Sequence, residues 1–154
     1  MRVIKLSPCL FSNTPRISLK VEAPEVVVMS FIGRTVLIAD DTDEIRLMLK
    51  RAMLMNGYVV IEATNGFEAL EAARLGKPDL VLIDLNMPKM DGLKAVEEIR
   101  KIEGKQVPIV AMTAFDTYGM KEAAIQVGCN EYLNKPLNLT RLERLVRDYL
   151  TMST

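Results

Sequence analysis

From Thr35 onward, short unbroken apolar runs alternate with stretches whose apolar residues recur at helical spacing, and this alternation predicts five strand–helix pairs. Four runs stand out: Val36-Leu37-Ile38-Ala39, Leu80-Val81-Leu82-Ile83, Ile109-Val110-Ala111-Met112 and Tyr132-Leu133. Unbroken rather than alternating apolar character fits strands covered on both faces, as in a parallel sheet packed between helices. The helical stretches carry their own start and stop signals. Ile45, Met48, Leu49, Ala52 and Met53 make one stripe of a first helix that begins near Asp43, capped from Asp41 or Thr42, and stops at Asn56-Gly57. Asn65 caps a second helix running through Phe67 and Leu70. Asp91-Gly92 opens a third through Val96, Ile99 and Ile102 to near Gly104, and a fourth stops at Gly128. The last follows Asn138 and sets Leu142, Leu145, Val146, Tyr149 and Leu150 on one face, with Arg141, Arg144 and Arg147 on a solvated side.

The expected fold class is therefore α/β, with one domain over residues 35–151. Residues 1–34 read differently: Pro8, Pro15 and Pro24 interrupt them, and Val26-Val27-Val28 is their tight apolar cluster. They fit either a disordered or loosely docked extension or an added edge strand, and Met29 offers an alternative start.

Charge removes several function classes. The 154 residues hold 20 basic and 20 acidic side chains, so no overall field draws the chain to nucleic acid. There is no histidine, which removes the usual general base, the commonest metal ligand and any phosphohistidine; chemistry must run on carboxylates. Cys9 and Cys129 lie far apart and read as reduced cytosolic thiols. No apolar stretch approaches the ~20 residues of a membrane span, and the prolines near the start argue against a signal peptide.

The candidate chemistry sits where the apolar runs end: Asp40 and Asp41, then Asp84, then Thr113, then Lys135. If the strands lie side by side in one direction, all five reach the carboxyl edge of the sheet, where open α/β sheets bind ligands. Three carboxylates gathered there repel by ~4 kcal/mol per pair at 4 Å and an effective dielectric near 20. A hard divalent cation such as Mg²⁺ relieves this, because it takes oxygen ligands and keeps room for waters and phosphate oxygens. Asp84 stands alone after the central run, ahead of Asn86-Met87-Pro88 and Asp91-Gly92, and is the candidate nucleophile for an acyl phosphate. Thr113 offers a hydroxyl and Lys135 a compact cation to phosphoryl oxygens. Taken singly, each residue has a plainer account: the Asp pair as a helix cap, Asp84 in a turn, Thr113 as a strand-end hydroxyl, Lys135-Pro136 as an exposed loop. A calcium loop starting at Asp84 fails, since its glycine position holds Lys89 and its twelfth position Ala95.

Leu37-Ile38-Ala39-Asp40-Asp41, Val81 through Gly92, Met112-Thr113-Ala114 and Tyr132-Leu133-Asn134-Lys135-Pro136 together resemble the receiver domains of two-component response regulators, over about Thr35 to Leu150. The resemblance implies a flavodoxin-like (βα)5 fold, a parallel five-stranded sheet in the order 2-1-3-4-5. It implies that Asp84 accepts a phosphoryl group from a phosphohistidine on a sensor histidine kinase or a histidine phosphotransfer protein. Mg²⁺ (or Mn²⁺) is then expected on Asp41, Asp84 and the backbone carbonyl of Asn86, with Asp40 acting mainly through water. Thr113 and Lys135 are expected to hold the phosphoryl oxygens, and Tyr132 to swing inward as Thr113 moves. A cis bond before Pro136 is implied, as are hydrolysis-tuning positions at Asn86 and Phe115. The expected output is a changed protein-binding surface on the fourth helix, fifth strand and fifth helix, read by a downstream protein target.

The expectation is thus a stand-alone, cytoplasmic, non-enzymatic regulator, a monomer or weak homodimer with no direct contact to nucleic acid or membrane. Two rivals remain at this stage. One is a Mg²⁺-dependent aspartyl-phosphate phosphatase or phosphotransferase, whose haloacid-dehalogenase form wants a second acid two residues after the nucleophile, where Asn86 stands. The other is a binding scaffold independent of phosphorylation. A dinucleotide site is disfavoured, because no G-x-G-x-x-G follows the first strand.

Overall fold

A computed structural model describes residues 33–103, 106–115 and 118–152. The expectations for residues 1–32, including the Val26–Val28 strand and the Met29 start, lie outside the described residues, as do Cys9 and Gly104. Five strands, β1 (Thr35–Ala39), β2 (Val59–Ala63), β3 (Leu80–Asp84), β4 (Ile109–Thr113) and β5 (Glu131–Asn134), alternate with five helices. The helices are α1 (Asp43–Met55), α2 (Gly66–Gly76), α3 (Gly92–Glu103), α4 (Met120–Val127) and α5 (Leu139–Met152). All strand pairs are parallel, in the order β2-β1-β3-β4-β5.

Successive strand residues point to opposite faces, and each face has its own core. Leu37, Val81, Ile83, Ile109 and Ala111 pack with Ala69 and Ala73 of α2, Ala95, Val96 and Ile99 of α3, and Ala124 of α4. Val36, Ile38, Leu80, Leu82, Val110 and Met112 pack with Leu49, Ala52 and Met53 of α1 and Leu142, Val146 and Leu150 of α5. The two faces explain why β1, β3 and β4 read as unbroken apolar runs: β3 and β4 are buried along their whole length. The edge strand β2 lacks that signal, since Val59 and Glu62 are exposed.

Three helix starts fall on the expected caps. Asn65 Oδ1 accepts from the Glu68 N–H at 3.0 Å, Asp91 Oδ1 from Lys94 at 2.8 Å and Asn138 Oδ1 from Arg141 at 3.0 Å. The first helix departs from this pattern. Thr42 is its N-cap residue but its side chain makes no cap bond, and the Thr42 N–H instead donates to Asp40 Oδ1. Phe67 and Ile102 lie in the helices expected for them but face solvent (56% and 47% exposed), while Ala69, Ala73, Val96 and Ile99 fill the space beneath those helices.

Candidate functional site

Strand register brings the strand ends to one edge. Ala39 lies beside Ile83, Asp84 beside Met112 and Thr113 beside Asn134. Backbone bonds extend the alignment past the strands: Asp40 N–H donates to Ala63 O (3.1 Å), Leu85 N–H to Met112 O (2.9 Å) and Lys135 N–H to Thr113 O (2.7 Å). The helix α3 starts hard against β3. The Gly92 N–H donates to Leu85 O at 3.0 Å, and a Cβ on Gly92 would sit 2.3 Å from the Asp84 carbonyl oxygen.

The side chains expected to work together do converge. Lys135 Nζ donates to Asp40 Oδ2 at 2.6 Å and to Asp84 Oδ2 at 2.9 Å, joining residues 95 and 51 positions apart. Asp40 is fully buried and Asp84 nearly so. Their second oxygens accept backbone N–H groups, Asp40 from Thr42 and Asp84 from Asn86, both at 2.9 Å. Asp41 is exposed, and its carboxylate has no hydrogen-bond partner among the described residues. One carboxylate oxygen from each of Asp40, Asp41 and Asp84 lies within 4.8 Å of the other two.

Burial sets the electrostatics. Desolvation raises the Asp84 pKa, outweighing the Asn86 N–H and the Lys135 ammonium that favour its charged form, and the Asp40 charge pushes the same way as desolvation. Burial pulls the Lys135 pKa down, but its bonds to Asp40 and Asp84 more than offset this and leave it raised. A charged Asp84 is thus held at a cost that a cation near it would relieve.

Thr113 Oγ1 is buried and saturated. It accepts from Asn86 Nδ2 (2.8 Å) and from the Phe115 N–H (3.1 Å), and it donates to the Phe115 carbonyl (3.2 Å). Asn86 and Phe115 are exposed at the mouth. Tyr132 is buried with the core residues of the α2, α3 and α4 face. The Lys135-Pro136 peptide is cis. Tyr132, Asn134, Pro136 and Leu137 line a cleft of about 310 Å³ with Lys121 of α4 and Arg141 of α5.

The donor set suits a hard cation: three carboxylate oxygens gathered without a nitrogen or sulfur ligand fit Mg²⁺ or Mn²⁺. Asp40, Asp41 and Asp84 are the residues that would hold it. Two features of the site escaped sequence reasoning. The Asn86–Thr113 bond spans 27 residues, and Arg46 Nη1 donates to the Asp40 carbonyl at 2.9 Å from the polar side of α1. Only the arginine's place one turn past the acidic pair could have hinted at the second.

A parallel doubly wound sheet with three carboxylates, a lysine and a hydroxyl gathered at its carboxyl edge defines the class: an open α/β protein with its polar cluster where such sheets bind ligands. The response regulator receiver domain model matches residues 36–147, and the chain belongs to that family, the receivers of two-component signalling. The polar-differentiation response regulator DivK of Brucella anthropi is 34% identical over 119 residues, covering 76% of this chain and 96% of DivK. The chain spans about half the length of the mycobacterial MprA response regulators that it also matches. The receiver domain of the Pseudomonas aeruginosa sensor histidine kinase PA1611, solved with a coordinated magnesium ion, superposes with a TM-score of 0.71 at 32% identity, covering 77% of this chain and 98% of that one. The receiver of Saccharomyces cerevisiae Ssk1, solved with the histidine phosphotransfer protein Ypd1, gives 0.73 at 30% identity, covering 79% and 92%. Among the described residues no helix is long and apolar enough to cross a membrane.

Proposed function

We propose that this chain is a stand-alone receiver whose Asp84 accepts a phosphoryl group from a phosphohistidine on a sensor kinase or histidine phosphotransfer protein. The observation that carries this is the Asp40, Asp41, Asp84 and Lys135 cluster at the sheet edge, with Thr113 one strand away. An Asp84 carboxylate oxygen attacks phosphorus, the N–P bond breaks, and the histidine nitrogen keeps that electron pair; the product is an aspartyl phosphate. Lys135, released from Asp84, pairs with a phosphoryl oxygen, while Asp41, with Asp40 acting mainly through water, would hold the cation. Mg²⁺, when bound, offsets carboxylate and phosphoryl charge. The Thr113 hydroxyl then leaves the Phe115 carbonyl for a phosphoryl oxygen. Tyr132 and the cleft between α4, β5 and α5 respond, and a downstream protein reads the change. Asn86 and Phe115, at the mouth, set how fast water removes the group.

Support comes from relatives: the match covers 96% of DivK, the PA1611 receiver domain was solved with magnesium coordinated in its active site cleft, and the Ssk1 receiver domain was solved with a histidine phosphotransfer protein. On this reading the protein acts in the cytoplasm as a monomer or weak homodimer, with no enzymatic turnover beyond its own phosphorylation and slow hydrolysis. Amide NMR spectra with Mg²⁺ and beryllofluoride test it, on wild type and Asp84→Asn. Shifts at Thr113, Tyr132 and α4 in wild type alone are expected. Turnover of small phosphate esters would instead favour the phosphatase, and binding partners indifferent to Asp84→Asn would favour the scaffold.

A further inference from the structure

We infer that Arg46 is a positioning residue for the acidic pair, fixing the Asp40–Asp41 peptide so that the Asp41 carboxylate faces the cation site. The inference rests on the receiver reading above. Asp40 and Asp84 are each held at both carboxylate oxygens, by Lys135 and a backbone N–H. Asp41 has no such side-chain bond among the described residues. Its aim is therefore inherited from its backbone. The Asp40 carbonyl and the Asp41 amide nitrogen belong to one planar unit, so whatever grips that carbonyl orients the bond leading to Asp41.

Arg46 supplies the grip. Its Nη1 donates to Asp40 O at 2.9 Å, its Nη2 to Asp43 Oδ1, and its Nε lies 3.4 Å from Glu62 Oε1. Glu62 in turn pairs with Lys50. The side chain is only 13% exposed, so water competes poorly for these contacts. One planar fork thus ties the end of β1 to the first turn of α1 and to the edge strand β2. An ammonium has no such fixed fork.

The sign of the effect separates positioning from charge. Arg46, Asp43, Glu62 and Lys50 sum to zero, so removing the guanidinium leaves a local charge of −1 next to the cation site. Coulomb attraction alone then predicts tighter Mg²⁺ binding. Loss of aim predicts weaker binding.

Mg²⁺ titrations followed at the Asp84 and Asn86 amides, on wild type, Arg46→Met, Arg46→Lys, Asp41→Asn and the Arg46→Met/Asp41→Asn double variant, decide between them. We expect about tenfold weaker binding for Arg46→Met, in the range seen for groups that orient metal ligands. Arg46→Lys keeps the charge, loses the fork and also weakens binding, which carries the test if the methionine variant fails to fold. The double variant should bind no more weakly than Asp41→Asn, because the arginine acts through that aspartate. Unchanged or tighter Mg²⁺ binding in the folded Arg46 variants overturns the inference, even if their urea midpoints fall. A wild type that ignores Mg²⁺ overturns the phosphoacceptor function proposed above and this inference with it.

Discussion

Replacing Gly92 by alanine tests the close approach of α3 to the end of β3. A Cβ there would meet the Asp84 carbonyl oxygen at 2.3 Å, the Leu85 Cα at 2.5 Å and the Asp84 carbonyl carbon at 3.0 Å. All three are backbone atoms, and Asp84 lies at the end of a fully buried strand, so no side chain can swing aside. Relief needs the start of α3 and the end of β3 to part by roughly 1 Å, at the ~1–3 kcal/mol typical of overpacking. The better helix propensity of alanine returns at most ~1 kcal/mol. A net loss of about 1 kcal/mol follows, which for a chain of this size lowers Tm by roughly 2 to 4 °C. The same shift displaces the Asp84 carboxylate, and a misplacement near 1 Å can slow a positioned reaction by about 10²-fold. Calorimetry and the rate of phosphorylation from acetyl phosphate measure the two arms. The control is Gly119→Ala: nothing lies within 4 Å of its Cβ, and only its φ of +84° opposes the change, so stability falls by about 1–2 kcal/mol and phosphorylation holds. Gly92→Ala matching wild type in both arms would refute the close-approach argument.

Two further outcomes follow from buried charge. Lys135→Met strands the buried Asp40 and Asp84 carboxylates and should cost about 3–5 kcal/mol in urea unfolding at neutral pH, with part restored by saturating Mg²⁺. Because the folded Lys135 pKa is raised, its contribution is complete below the ordinary lysine value and fades as pH climbs through the folded one, so the two proteins should converge only in strong alkali. Burial pushes the Cys129 thiol up to about 12, with Arg100 opposing weakly. The unfolded thiol ionises near 9.0, so between there and about 12 the folded state binds the extra proton and stability falls by up to ~1.4 kcal/mol per pH unit. Cys129→Ala should remove that slope from denaturation curves taken at pH 9 and 10, and an unchanged slope would count against thiol burial as its source.

Much of the fold was legible because its strands are buried on two faces. Continuous apolar runs mark β1, β3 and β4 by composition alone, and the caps at Asn65, Asp91 and Asn138 are local hydrogen bonds within three residues of the signal. Local chemistry of this kind needs no tertiary context. The edge strand β2 was the weak spot, since one partner strand and half-exposed side chains leave no unbroken run. The exposure of Phe67 and Ile102 has a related reason. Periodicity says that a face is apolar, but the room beneath it, already filled by Ala69, Ala73 and Ile99, decides which side chains go in.

The sequence by itself determined that carboxylates, a hydroxyl and a lysine each terminate an apolar run, and hence that they share one sheet edge. Only the tertiary structure decided which of them touch. Register places Lys135 on Asp40 and Asp84 rather than in solvent, engages Thr113 with Asn86 and Phe115, and lets Arg46 reach the Asp40 carbonyl. The division is physical. Apolar periodicity and backbone capping depend on neighbours a few residues away, whereas side-chain pairing across 27 to 95 residues depends on strand register and helix docking, which no local pattern encodes.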